Sequence, residues 1–241
     1  MKKTLGIIGG MGPEASEVFY LKLTQATKAE KDQDHLNILL WSHADIPDRT
    51  GSIKAGRKEE LWAVMAKDVE MLKACGCDYL AVPCNTSHVF QDRFEQLMDG
   101  HFISMIDEAA SYAKTVGKTI GVLGTDGTVA NDLYGKALRR NGCTCVYPDA
   151  DDQRSVMQII YEQIKKGQRG NLALFQSICE HMRAKGCDAV ILACTELSVL
   201  KNNYTELADP WYLDAMDALV KTCVITCGGI YQGKLWALQN R

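Results

Sequence analysis

Apolar positions along this chain follow two different periods. Short, nearly continuous apolar runs occur at Leu5 to Ile8, Ile38 to Trp41, Tyr79 to Val82, Ile120 to Leu123 and Ala189 to Ala193. Runs of that length, apolar or β-branched, predict buried strands. Between them, "ELWAVMAKDVEMLKACG" and "NLALFQSICEHMRAKG" place apolar residues every three or four positions, which predicts amphipathic helices ending near Gly76 and Gly186. Strand alternating with helix argues for an α/β chain with mainly parallel sheets.

The pattern also repeats itself. "KTLGIIGGMGPEA" (Lys3 to Ala15) aligns without a gap on "KTIGVLGTDGTVA" (Lys118 to Ala130), and "GCDYLAVPCNTSH" (Gly76 to His88) resembles "GCDAVILACTELS" (Gly186 to Ser198). Two pairs of segments in the same order imply two similar α/β lobes. The expected division is residues 1–104 plus 210–241 for the first lobe, with Cys84, and residues 105–209 for the second, with Cys194. The last helix, near Leu213 to Ile225, is expected to return to the first lobe.

Composition narrows the function classes. The chain has 241 residues, is 46% hydrophobic and 24% charged, and carries a formal charge of -3. That balance gives no reason to expect nucleic acid or an anionic membrane as partner. "MKKTLGIIGG" is too short and glycine-broken to read as a signal peptide, and no later run is long enough to span a bilayer, so a cytoplasmic protein is expected. Ten cysteines could mean disulfides or zinc. A reducing compartment disfavours the first, and the pairs Cys75/Cys77, Cys143/Cys145 and Cys223/Cys227 lack CxxC spacing, so no metal site is expected. Most of these thiols read as small buried hydrophobes.

Cys84 and Cys194 stand apart because each follows a predicted strand and precedes a predicted helix start, with Asn85, Thr86 or Thr195 as candidate caps. Ligands in open parallel sheets bind beyond the carboxyl ends of strands. A thiol there is expected to feel the positive end of a helix, which lowers its pKa from about 8.5 toward neutrality. Lobes facing each other across a pseudo-twofold axis, with the site in the cleft between them, would bring the two sulfurs to one bound molecule from opposite sides. Opposed acid and base is what inversion at a carbon requires.

The segments "GGMGP" (Gly9 to Pro13), "IPDRT" (Ile46 to Thr50), "PCNTSH" (Pro83 to His88) and "CTELS" (Cys194 to Ser198) resemble the aspartate/glutamate racemase family, and its aspartate racemase branch in particular. The resemblance implies a cofactor-independent racemase acting on a dicarboxylic amino acid, commonly as a homodimer, with Cys84 and Cys194 as paired acid and base. It further implies that Arg49 binds a carboxylate through its planar fork, and that Lys165 or its neighbour Lys166 meets the second carboxylate. Asn85, Thr86 and Thr195 would hold the α-carboxylate and amino group, and Met11, Gly12, Thr125 and Thr128 would line the pocket. Glu196 stands where glutamate racemases carry a histidine, and the first glycine turn lacks their aspartate, which argues against a glutamate racemase. Plainer readings exist for several of these residues: an Arg49–Asp48 ion pair, a lysine favoured near a helix C-terminus, and threonines that only cap turns.

Other readings compete. Gly10, Gly12 and Ala15 formally match the dinucleotide pattern GxGxxA, but Pro13 interrupts it and the second copy lacks it. A broad-specificity amino-acid or hydantoin racemase, a cis-trans isomerase of a diacid, and a non-catalytic amino-acid-binding protein of the same fold fit the repeat as well.

Overall fold

The computed structural model describes residues 2–233, which form two compact units, residues 2–105 with 216–233 and residues 106–215. The first holds a four-stranded parallel sheet of β1 (Thr4–Gly9), β2 (Asn37–Ser42), β3 (Tyr79–Ala81) and β4 (Phe102–Ile103), in the order β2-β1-β3-β4. The second holds β5 (Thr119–Gly124), β6 (Thr144–Val146), β7 (Ala189–Ala193) and β8 (Tyr212–Asp214), also all parallel, in the matching order β6-β5-β7-β8. No helix among the described residues is long and apolar enough to cross a membrane.

The central strands carry the cores. Leu5, Ile7 and Ile8 on β1, Ile120, Val122 and Leu123 on β5, and every residue of β7 are buried. Strands covered on both faces need apolar residues at successive positions, which is why these runs do not alternate. Strands β4, β6 and β8 left no such signal, because two or three residues are too few to establish a period. One boundary therefore differs from expectation. Residues 210–215, expected with the first lobe, belong to the second unit because β8 pairs with β7, and the final helix begins at Ala215, not Leu213.

Two equivalent helices lead into the cysteine-bearing strands. Lys58–Ala74 buries Leu61, Met65, Val69 and Leu72 on one face, and Leu172–Ala184 buries Phe175, Ile178, Cys179 and Met182. Removing such a side chain from water contributes about 1.5–3 kcal/mol. Both helices stop in the same way. Gly76 and Gly186 adopt φ of 83° and 81°, a left-handed conformation that glycine enters without a Cβ penalty. Gly76 N–H then donates to Lys73 C=O and Cys77 N–H to Leu72 C=O, while Gly186 and Cys187 do the same to Arg183 and Met182. These paired bonds satisfy carbonyls that the helix end would otherwise orphan.

The next residue stands just before the strand. Asp78 accepts from the Thr4 N–H (2.8 Å) and the Lys3 ammonium (2.9 Å), and Asp188 accepts from the N–H groups of Lys118 (2.7 Å) and Thr119 (2.9 Å). The repeated Gly-Cys-Asp is thus a structural clasp: it ends a helix and ties the incoming strand to the first residues of the central one. These hydrogen bonds hold both carboxyls below the usual range. A depressed carboxylate pKa contributes stability above the unfolded value, about 3.9, and that contribution is lost as pH falls through the folded value. Asp188→Asn should therefore melt below the native chain at pH 7 by circular dichroism, with the gap closing below about pH 4. Equal melting temperatures at pH 7 would show that the clasp carries no stability.

Candidate active site

Three loops leave the carboxyl ends of β1, β2 and β3 in the first unit. After β1 the chain turns through Gly10, with φ of 86°, whose missing Cβ would lie 2.4 Å from the His43 backbone. Gly12 is the N-cap of the helix Pro13–Ala26, with proline at its first position, where the absent N–H costs nothing. The Ser16 hydroxyl fixes this turn by accepting from Gly10 N–H (2.8 Å) and donating to Gly12 C=O (2.9 Å). Met11 is buried, and its sulfur receives the Ser87 hydroxyl at 3.5 Å.

After β2, Asp48 caps the short helix Arg49–Lys54 by accepting from Gly51 N–H at 2.7 Å. Arg49 is buried, and its Nη1 donates to the carbonyls of Ile46 and Pro47, both at 3.2 Å. A guanidinium is expensive to bury without such partners.

After β3, Cys84 sits in extended conformation, nearly buried, ahead of the 3-10 turn Asn85–Phe90. His88 anchors it from below. The Met105 N–H donates to His88 Nε2 (3.0 Å), which makes that nitrogen the acceptor, so Nδ1 carries the proton and donates to the Cys84 carbonyl (3.0 Å). His88 ends the segment "PCNTSH", where its spacing alone gives it no role.

The second unit repeats the scaffold with different chemistry. Beyond β5, Thr125 caps Asp126–Ala130 by accepting from Thr128 N–H (3.4 Å), and the two hydroxyls lie 3.3 Å apart. The Gln153 amide nitrogen steadies this turn by donating to Gly124 C=O (3.0 Å) and the Asp126 carboxylate (2.9 Å). Beyond β7, Cys194 is the N-cap of the helix Thr195–Asn203. Neither helix start is capped by the residues expected to do so: the N-caps are Cys84 and Cys194 themselves, and Asn85, Thr86 and Thr195 lie inside the first turns, one or two places too far on.

Cys194 has a carboxylate at its side. Its thiol donates to Glu196 Oε2 at 2.9 Å, and the Thr195 hydroxyl reaches the same oxygen at 3.4 Å. The Lys165 ammonium donates to the other oxygen, Oε1, at 2.6 Å, and lies 5.4 Å from the centre of the Tyr161 ring. Lys166 instead pairs with Glu162 on an exposed face, so Lys165 is the lysine brought to this cluster. Burial raises the Cys194 pKa well above the ordinary thiol value, the Glu196 charge raises it further, and Lys165 opposes the rise. The expectation that a helix N-terminus lowers both thiols thus fails at Cys194, where desolvation and an adjacent carboxylate outweigh it. Among the described residues, no cluster of three or more His, Cys, Asp or Glu side chains is arranged to hold a metal ion.

Known proteins share this architecture. The Asp/Glu/hydantoin racemase family profile matches residues 8–223. The solved structure of Picrophilus torridus aspartate racemase is similar with a TM-score of 0.80 and 32% identity, over 95% of this chain and 96% of the other. The broad-specificity amino-acid racemase RacX of Bacillus subtilis is 27% identical over 229 residues, 92% of this chain and 97% of RacX. A glutamate racemase structure from Francisella tularensis shares the fold at 17% identity, with a TM-score of 0.68 and coverage of 93% and 81%. With its two matching parallel sheets and a cysteine beyond the third strand of each in chain order, the chain belongs to the Asp/Glu/hydantoin racemase family.

Proposed function

We propose that this family member is a cofactor-independent aspartate racemase in which Cys84 and Cys194 transfer protons on opposite faces of Cα. The observation that carries the reading is the placement of two thiols at equivalent strand ends in two sheets of identical order. In each direction one sulfur, as thiolate, takes the α-proton while the other, as thiol, supplies a proton to the opposite face. The carbanion between these steps needs its charge spread onto a well-held carboxylate. Asn85, Thr86 and Thr195 are assigned to the α-carboxylate and ammonium, and Met11, Gly12, Thr125 and Thr128 to the pocket wall.

Arg49 is assigned to a substrate carboxylate, and the likeness to the Picrophilus torridus enzyme supports aspartate as the substrate. Two carbonyls hold the guanidinium on one side, which pre-organises the fork. A broader substrate range is the second reading. It is favoured by the likeness to RacX over nearly its whole length and by Lys165, whose charge is balanced by Glu196. Chiral chromatography of reactions with each common L- and D-amino acid separates the two readings: aspartate alone supports the first, and several neutral amino acids support the second.

Cys84→Ala and Cys194→Ala should each abolish racemisation from either enantiomer. In deuterated water each variant should retain α-proton exchange with one enantiomer, and the two should prefer opposite ones. Racemisation by either variant at more than a trace would remove the two-thiol mechanism. For Arg49→Lys, which keeps charge but loses the fork, aspartate turnover should drop tenfold or more, about 1.4 kcal/mol per tenfold, while circular dichroism stays native. Unchanged turnover would take Arg49 out of the binding site.

A further inference from the structure

Glu196 is a buried carboxylate on which Cys194 and Lys165 make opposite demands. On one oxygen it receives the Cys194 thiol, and on the other the Lys165 ammonium. It lies in the first turn of Thr195–Asn203, where orphan backbone N–H groups favour negative charge. Other groups of the unit stand behind Cys194. Tyr134, fully buried on the helix Leu133–Arg140, feels both the Cys194 sulfur and Asp214 of β8, and Asp214 receives the Ser198 hydroxyl at 2.6 Å. Lys165 is the cation bonded to Glu196, whereas Asp214, beside Tyr134, is itself a carboxylate.

We propose that Glu196 is a positioning residue that manages the Cys194 proton, holding the thiol as the acid of the resting enzyme and taking its proton when Cys194 must act as base. This rests on the two-thiol reading above. A hydrogen bond from thiol to carboxylate, with Sγ and Oε2 2.9 Å apart, is a ready line for that transfer. For the enantiomer that Cys84, as thiolate, deprotonates, Cys194 gives its proton to the carbanion, and the cycle closes as Cys194 takes a proton from solvent and Cys84 releases the abstracted one to solvent. For the other enantiomer, the S–H bond of Cys194 breaks and an O–H bond forms on Glu196, leaving a thiolate beside a neutral carboxyl. The thiolate then takes the α-proton, Cys84 thiol protonates the opposite face, and the Glu196 proton returns to solvent as Cys84 regains one. Protons balance in both directions without a further reactant. Lys165 sets the tension in the device, since its charge stabilises both the carboxylate and the thiolate.

Alkylation of Cys194 by iodoacetamide, followed across pH by mass spectrometry of its peptide, reads the thiolate directly and needs no turnover. Glu196→Gln keeps the shape but removes the charge next to Lys165. Its Cys194 profile should move to lower pH by about one unit, roughly tenfold more thiolate at a given pH below the midpoint. The optimum of kcat/KM should move the same way, and racemisation at the native optimum should fall tenfold or more. Lys165→Met should move the alkylation profile in the opposite direction, to higher pH, and Glu196→Asp should restore it toward native. Loosened packing would expose the thiol in both variants alike, so shifts of opposite sign are specific to the charge arrangement. Profiles that stay in place, or that move together, would overturn the role of Glu196 even if Cys194→Ala is inactive. Racemisation by Cys194→Ala would instead remove the two-thiol reading and this inference with it.

Discussion

The register between neighbouring parallel strands is the constraint from which the candidate site follows. Leu5 of β1 pairs with Tyr79 of β3, and Ile120 of β5 pairs with Ala189 of β7. In both cases the residue after Lys-Thr meets the residue after Gly-Cys-Asp, because the aspartate is bonded to backbone N–H groups at the start of the central strand. A slip of one residue would exchange the two packed faces of each strand and move both aspartates off their N–H partners. With register fixed, Cys84 and Cys194 both emerge five residues later, beyond the sheet edge. Gly6 and Gly121 belong to the same device. A Cβ on Gly6 would lie 3.0 Å from the Cys77 sulfur, and one on Gly121 would lie 2.7 Å from Met182 and Val190.

On this common scaffold the two units have diverged chemically. Cys84 precedes a 3-10 turn whose His88 grips the cysteine carbonyl, so the backbone is held while no carboxylate is bonded to the sulfur by the contacts described above. Cys194 precedes a nine-residue helix and carries Glu196 on its thiol. The position matching Glu196 in the first copy is Thr86. On the two-thiol reading proposed above the sulfurs have mirror tasks, yet nothing requires them to reach those tasks by the same means. Burial and Glu196 favour the protonated form of Cys194, which on that reading suits it to begin a cycle as the acid.

Much of this was legible in the sequence because it lies in local patterns. The buried central strands announce themselves as apolar runs, the helices Lys58–Ala74 and Leu172–Ala184 by their period, and the repeat by paired segments. The short strands β4, β6 and β8 are defined by pairing alone and have no period to read, which is why residues 210–215 were expected in the wrong lobe. The choice between Lys165 and Lys166 depends on which way each side chain leaves a 3-10 turn, something adjacent residues in sequence do not reveal. The raised Cys194 pKa is hidden from the sequence for a related reason. Position at a helix N-terminus is visible in sequence, whereas desolvation and a carboxylate folded back from two residues on are three-dimensional facts.

The central claim is that two opposed bases share the work, and isotope incorporation by the native enzyme tests it most directly. L-Aspartate is incubated in deuterated water, and both enantiomers are separated and weighed by mass spectrometry before a tenth of the substrate has reacted. Two opposed thiols predict D-aspartate carrying deuterium at Cα from the first turnover, while the remaining L-aspartate keeps its protium, because the proton removed on one face is never the one delivered to the other. D-Aspartate that retains the original protium would mean that a single base carries the same proton across, and would contradict the account.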